Sequence, residues 1–399
     1  MSWTLYISLS VMMFLEFAVW GAWAPVLATR LLGPLKMNGK QTGWIYATLP
    51  MACIVAPLIA GQAADRWVNA EWILAGAHLL GAVLLLIAAK QERFWPLFAV
   101  MLLYSCCYAA TLPLVNSVMF FHLAKVFSKP ELIPAASGKI FIFAPIAWAL
   151  VGYFLTGWRW KFKTEGQGRD CLYLAAALSI IMGVSCLTLP ATPPSGTGGV
   201  ALAQAYAWMM GKPDFVVFLL ISMVVGGMMQ FYFLGTGRFM IDMGVSGKVI
   251  SGAMAIAQVV QAAATWLILD KCIEKLGYQT TLIFGAASWA VLYFVYAHGR
   301  PRWLIVVSQA FHGLAYVLFI IAGQIYANNV ALASINSSVQ ALVFAATTGL
   351  GLFLGTQLAG LVMDRCSTDG KFNWRPIWAV PCIITVAGVI ALVTLFNGK

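Results

Sequence analysis

PATPPSGTGGVALAQAYAWMMGKP occupies residues 190–213 and differs in composition from the sequence on either side. Its first half is dominated by Pro, Gly, Ser and Thr, which marks a linker. Its second half, from Val200 to Met210, reads as a short interfacial helix. Long apolar runs lie on both sides. Before the linker they fall near residues 4–29, 42–64, 71–89, 95–121, 133–156 and 172–190. After it they fall near 214–237, 249–269, 279–297, 302–327, 335–363 and 377–396. About 20 apolar residues suffice for a helix to cross a bilayer. The pattern therefore predicts an all-α integral membrane protein with twelve transmembrane helices in two six-helix bundles, residues 1–190 and 214–399, joined by a linker over 191–213.

Composition agrees. Of 399 residues, 62% are hydrophobic and 9% charged, whereas a soluble domain carries about a quarter charged residues. The runs are continuous rather than alternating, which argues against a transmembrane barrel. The first run has no charge before Glu16 and is too long for the core of a signal peptide, so it is expected to be a retained helix. The net charge of +11 sits mostly in the loops. There it points to lipid headgroups rather than nucleic acid. The eight cysteines form no CxxC and no Cys/His cluster of zinc spacing, so they read as small buried hydrophobes. Cys171 and Cys366 fall on one side of the membrane, and a disulfide between them is conceivable. No metal or cofactor is expected. HExxH, GxSxG and Walker motifs are absent, which disfavours an enzyme.

One internal echo suggests repeats. GQAADRW closes the second run and GLVMDRC the eleventh, with the same G-x-x-x-D-R spacing around Asp65–Arg66 and Asp364–Arg365. Runs two and eleven are equivalent positions in carriers built from inverted three-helix repeats. Chance, or an Asp–Arg pair that simply ends a helix, is the plainer alternative.

Ionisable groups deep in a membrane are costly and mark function by default. Glu16 lies near the middle of the first run and Lys139 near the start of the fifth; His78 and His312 lie in the third and tenth. The histidines read more readily as satisfied buried imidazoles. Arg238, Asp242, Asp270 and Asp364 sit at run ends, where snorkelling to the interface suffices. Neutral amides are more numerous: Asn116, Gln230, Gln258, Gln261, Gln309, Gln324, Gln340 and Gln357. Gln258 and Gln261 share a helical face. Aromatics stand at helical spacing from several of these groups: Phe233 after Gln230, Phe143 after Lys139, and Tyr316 after His312. Trp20 and Trp23 follow Glu16. Amides, a cation and aromatics together suit a small polar cargo with a flat ring, bonded at its edge and stacked on its face.

FLEFAVWGAW, GQAADRW, the paired amides of AQVVQ and TLPATPP after the sixth run, taken together and in this order, resemble the nucleoside–proton symporter family. That family belongs to the major facilitator superfamily, and the resemblance covers the whole chain. It implies a central cavity, alternating access, an inner-membrane location, a monomer and cytoplasmic termini. The last point opposes the charge pattern, since with cytoplasmic termini most of the 24 Lys and Arg fall in outer segments.

The departures from the family carry the functional question. Lys139 stands where the family has a substrate-facing arginine, and the aromatic of that motif falls near Phe143 or Ile146. In run seven Gln230 is kept, but Phe233 replaces a second amide. In run eight Gln258 is kept, but Gln261 stands where the family has a glutamate tied to substrate and proton. In run ten Val317 follows Tyr316, where the family has an aspartate. Ala191 replaces a histidine, and Glu16 stands where Gln is common. The resemblance thus implies Lys139, Phe143, Gln230, Phe233, Gln258, Gln261 and Tyr316 as substrate residues. A glutamine cannot exchange a proton. Glu16, paired with Lys139, becomes the expected proton site. The rivals are a facilitator that has lost coupling, a carrier for a sugar or muropeptide, and a membrane enzyme or sensor.

Overall fold

The computed structural model describes residues 1–127, 132–164, 168–194, 202–331, 339 and 342–398, without the side chains of residues 62, 65, 66, 132–135, 202–205 and 328. Gln340 and the side chains of Asp65 and Arg66 therefore lie outside the described residues, and so does the start of the helix expected at Val200. Eleven described helices are long and apolar enough to span a membrane. They are span one (Trp3–Leu32), two (Gly39–Gly61), three (Ala70–Lys90), four (Phe94–Val126) and five (Ala136–Lys161), then seven (Pro213–Asp242), eight (Gly247–Leu267), nine (Leu269–His298), ten (Arg302–Ala327), eleven (Leu342–Arg365) and twelve (Trp374–Leu395). Span six is a shorter apolar helix, Asp170–Cys186.

Span six ends earlier than its apolar run, because residues 187–189 turn ahead of Pro190, which cannot continue the hydrogen-bond ladder. The chain beyond is pinned to the first bundle. The Thr192 N–H donates to Glu71 Oε2 at 2.9 Å, and Ala70 N–H donates to the Thr192 carbonyl at 3.2 Å. The linker helix forms as Leu202–Met210 and leads into span seven, with Trp208 edge-on to Phe215. Spans ten and eleven each widen into π turns, at Tyr316–Ile321 and Ala345–Gly351. Such turns recur at functional sites. Cys171 and Cys366 are free thiols, the former buried.

Spans one to six pack as one bundle and seven to twelve as another, and spans two–eleven and five–eight meet between them. The meeting is tightest at the end where the odd-numbered spans finish. A Cβ on Gly39 would stand 2.6 Å from the Gly360 carbonyl, and one on Gly152 would stand 2.8 Å from Ser251 O and Ala255 Cβ. Only glycine lets these backbones approach so closely. Span two begins in a capping box, with Asn38 Oδ1 accepting from Gln41 N–H at 2.8 Å. Its next free donors are taken by the other bundle: Gly39 and Lys40 N–H both donate to the Asp364 carboxylate. Asp364 does not snorkel; it caps a helix across the interface.

The five–eight contact at the same end is also polar. Arg159, 1% exposed, holds Asp170 through Nε and Nη2 at 2.6 and 3.1 Å, and its Nη1 reaches Ser251 Oγ at 2.8 Å. Gly252 N–H donates to Thr156 Oγ1 at 2.7 Å. Arg159 counts among the basic residues expected in loops, but it is buried because two partners consume its fork of donors. Toward the other end, span two still touches span eleven where Ile54 meets Gly349, whereas Val55, Leu58 and Ile59 are exposed.

Candidate transport site

Two adjoining hollows lie between the bundles. One is lined by Trp148 of span five, Tyr232 and Phe233 of span seven, Met254 and Gln258 of span eight, and Gly21 of span one. The other is lined by Trp20 and Trp23 of span one, Pro50 of span two, Gln230 and Phe233 of span seven, and Thr348 in the π turn of span eleven. Phe233 borders both. Trp20, Trp148 and Phe233 form a continuous aromatic wall, with ring centroids 5.5 Å apart for Trp20–Trp148 and 6.1 Å for Trp148–Phe233.

Gln230 is buried, and its Oε1 has no hydrogen-bond partner. A buried carbonyl without a donor costs about 1–3 kcal/mol, which suits an acceptor kept for a ligand. The wall behind it is held rigidly. Tyr232 donates to Gln309 Oε1 at 2.6 Å and stacks on His312 at 3.8 Å. Gln309 Nε2 in turn meets the Tyr296 hydroxyl. Trp289 Nε1–H donates to His312 Nδ1 at 3.1 Å, which places the imidazole hydrogen on Nε2. His312 is thus a buried, partnered imidazole.

Of the seven expected substrate residues, the hollows gather Gln230, Phe233 and Gln258. Gln261, one turn further along span eight, is buried but lines neither, and Tyr316 is half-buried in its π turn. Lys139 is exposed, and its carbonyl accepts from Tyr6 OH at 3.4 Å. Phe143 lies edge-on to the same tyrosine. These two stand by the opening half of span one, away from the aromatic wall. Trp148 was not singled out from sequence, because nothing in its local spacing separates it from the other tryptophans of a chain that holds 16.

Glu16 does not pair with Lys139. Span one turns Glu16 into its own bundle, where it is fully buried, and Lys139 remains at the exposed start of span five. The Glu16 partner is His78 of span three, with Nε2 2.8 Å from Oε2. Thr111 Oγ1 of span four lies 2.7 Å from Oε1, and Tyr108 OH donates to the Glu16 carbonyl at 2.8 Å. On the far side of the imidazole, Nδ1 is 3.2 Å from Ser179 Oγ of span six, and Ser179 Oγ donates to the His78 carbonyl at 2.8 Å. Four spans meet at this cluster. It adjoins the hollows: Tyr108 packs on Trp20, and Trp23 Nε1–H donates to Tyr104 OH at 3.1 Å.

A sequence model of the family described as nucleoside H+ symporter matches residues 3–399. Nucleoside permease NupG of Escherichia coli strain K12 is 26% identical over 99% of this chain and 96% of its own. Xanthosine permease of the same organism is 27% identical over 93% of this chain and 91% of its own. The crystal structure of nucleoside transporter NupG superposes with a TM-score of 0.85 at 24% identity, covering 99% of this chain and all of that one. A D-xylose-proton symporter superposes over both whole chains at 0.77 and 13% identity, a likeness of fold alone.

Proposed function

The chain belongs to the nucleoside H+ symporter family, and from that premise we propose that its cargo is an uncharged nucleoside held between the two bundles. It is a multi-pass membrane transporter and not an enzyme. The observation that carries the cargo reading is the lining itself, in which neutral amides stand beside an aromatic wall with no charged side chain among the described lining residues. The base lies with its face on Trp20, Trp148 or Phe233 and its edge toward Gln230 and Gln258. Amides offer both donor and acceptor, and Gln230 Oε1 already lacks a donor. Lys139 and Phe143 act at the mouth, where cargo enters. Gln261 and Tyr316 join the site when the bundles rock.

The membrane is the inner membrane and the termini face the cytoplasm. The end sealed by Asp364 and Arg159 is then the outer one, and the carrier faces inward. Counterflow of labelled uridine and adenosine in proteoliposomes tests the cargo, with sugars as competitors. Exchange blocked by unlabelled nucleosides and untouched by sugars is expected. Block by sugars alone would overturn the reading.

A further inference from the structure

We propose that Glu16 and His78 form the proton-carrying site of this transporter, with Ser179 as the group through which the proton enters and leaves. The inference rests on the transport reading above and assigns the coupling step to the first bundle.

Ser179 has one hydroxyl hydrogen and two neighbours that could accept it: the His78 carbonyl at 2.8 Å and His78 Nδ1 at 3.2 Å. The shorter bond goes to the carbonyl. Nδ1 must then carry its own hydrogen and donate it to Ser179 Oγ. On the other side of the ring, Nε2 and Glu16 Oε2 are 2.8 Å apart, and one more hydrogen lies between them. Whether that hydrogen sits on oxygen or nitrogen, the pair holds two hydrogens and no net charge. This is the loaded state.

Once water reaches buried Ser179, the unloaded state needs no heavy atom of the cluster itself to move. The proton at Nδ1 departs by way of Ser179 to water. The remaining hydrogen rests on Nε2 and donates to the Glu16 carboxylate. The Ser179 hydroxyl swings from the His78 carbonyl to the bare Nδ1. Every group keeps a partner, and the cluster gains one negative charge. Thr111 has one hydroxyl hydrogen and two acceptors at 2.7 Å, Glu16 Oε1 and the Tyr108 carbonyl, and it stabilises that charge by turning to Oε1. A site that is satisfied with or without one proton differs from a structural ion pair, which is satisfied in one state only.

Among the described residues the surroundings supply no fixed counter-cation. Tyr104 and Tyr108 of span four and Cys186 of span six are titratable groups around Glu16, and Cys186 also feels buried Glu71 of span three, an anion rather than a cation. Span five also packs on span one, but Lys139 is exposed, Arg159 is engaged by Asp170, Tyr153 lies against Gly252, and Lys161 rests over Phe162. An unpaired charge in a bundle core is costly, so the pair releases its proton only when the bundle admits water. Trp20, one turn after Glu16, lines the cargo hollow and packs against Tyr108. Cargo pressed on Trp20 therefore bears directly on the helix turn that carries the carboxylate.

The test uses the full chain in proteoliposomes with uridine and adenosine, and compares wild type with Glu16→Gln, His78→Gln and Ser179→Ala. Counterflow without a gradient is expected to stay within about threefold of wild type for Glu16→Gln, while accumulation driven by an imposed pH gradient falls to equal concentrations inside and out. Retained accumulation, or loss of counterflow in folded protein, would overturn the proposal. Should Glu16→Gln fail to fold, Ser179→Ala decides, since it keeps the pair; unchanged accumulation there would overturn the proposal too. Infrared difference spectra of cargo-free protein across pH give a readout independent of cargo. A carboxyl band that titrates in wild type and vanishes in Glu16→Gln is expected. A band indifferent to Glu16→Gln would refute the assignment even if nucleoside transport stood.

Discussion

The two bundles bury different chemistry. The first holds Glu16, Arg30, Glu71 and Arg159 almost out of contact with solvent, with His78 and His122 beside them. Among the described residues, the second buries Gln230, Gln258, Gln261, Gln309 and His312, with hydroxyls, and no Asp, Glu, Lys or Arg. Among the described residues, buried carboxylates and guanidinium groups are thus gathered on one side of the cavity, and the buried amides that suit a neutral solute on the other. The separation has a physical advantage. A carboxylate in the cargo wall would have to be desolvated afresh by every cargo, whereas one sealed behind Trp20 keeps its partners throughout.

The strongest way to break this comparison is to remove one half of the buried pair. Glu16→Ala leaves His78 without its acceptor and is expected to cost about 3–5 kcal/mol of stability, read as a lower melting temperature in detergent. Replacing both residues by Leu should recover most of that loss without restoring gradient-driven accumulation. A double variant that accumulates nucleoside would return the pair to the scaffold.

The sealed end offers the next largest effect. Arg159→Ala removes two carboxylate bonds and the bond to Ser251, and charged hydrogen bonds contribute about 1.5–3 kcal/mol each. Spin labels at Lys36 and Lys371, one on each bundle at that end, should then report a population at longer distance. An unchanged distribution would mean that Asp364 and the glycine contacts seal the end by themselves.

Within the cargo wall, Gln230→Ala is expected to weaken nucleoside binding about tenfold with little change in melting temperature. Isothermal titration calorimetry on purified protein measures it. The smallest effect is expected from Lys139→Ala. An exposed cation contributes about 0–1 kcal/mol, so counterflow should change less than about threefold. A larger loss would extend the recognition surface to the mouth and sharpen the boundary between the two chemistries.

Much of this was legible in the chain. The apolar runs, the Pro/Gly-rich interruption and the helix at residues 202–210 follow from local composition, because lipid forces every backbone bond to close within its own helix. The absence of a carboxylate at Gln261 and Val317 is legible as well, and it leaves Glu16 as the carboxylate deepest in an apolar run. The partner of Glu16 was not legible. His78 lies 62 residues away in a helix where a lone histidine reads as packing, and Lys139 was the more conspicuous cation. Ser179 gave no signal, since a serine in an apolar helix is commonplace. Asp364 reads from sequence as an interface residue, and nothing local announces that the start of span two donates to it.

The sequence by itself determined that the chain spans a membrane many times in two halves, and that its second half lacks the ionisable groups its family resemblance called for. Both follow from residue identity and short-range periodicity, which need no partner helix. Only the tertiary structure decided which buried groups meet: Glu16 with His78, Arg159 with Ser251, Asp364 with the start of span two, Gln230 with the aromatic wall. Each meeting joins separate helices, and the rotation of a helix about its axis is set by packing against its neighbours. In a chain whose helices are apolar nearly all round, no stripe in the sequence announces that rotation.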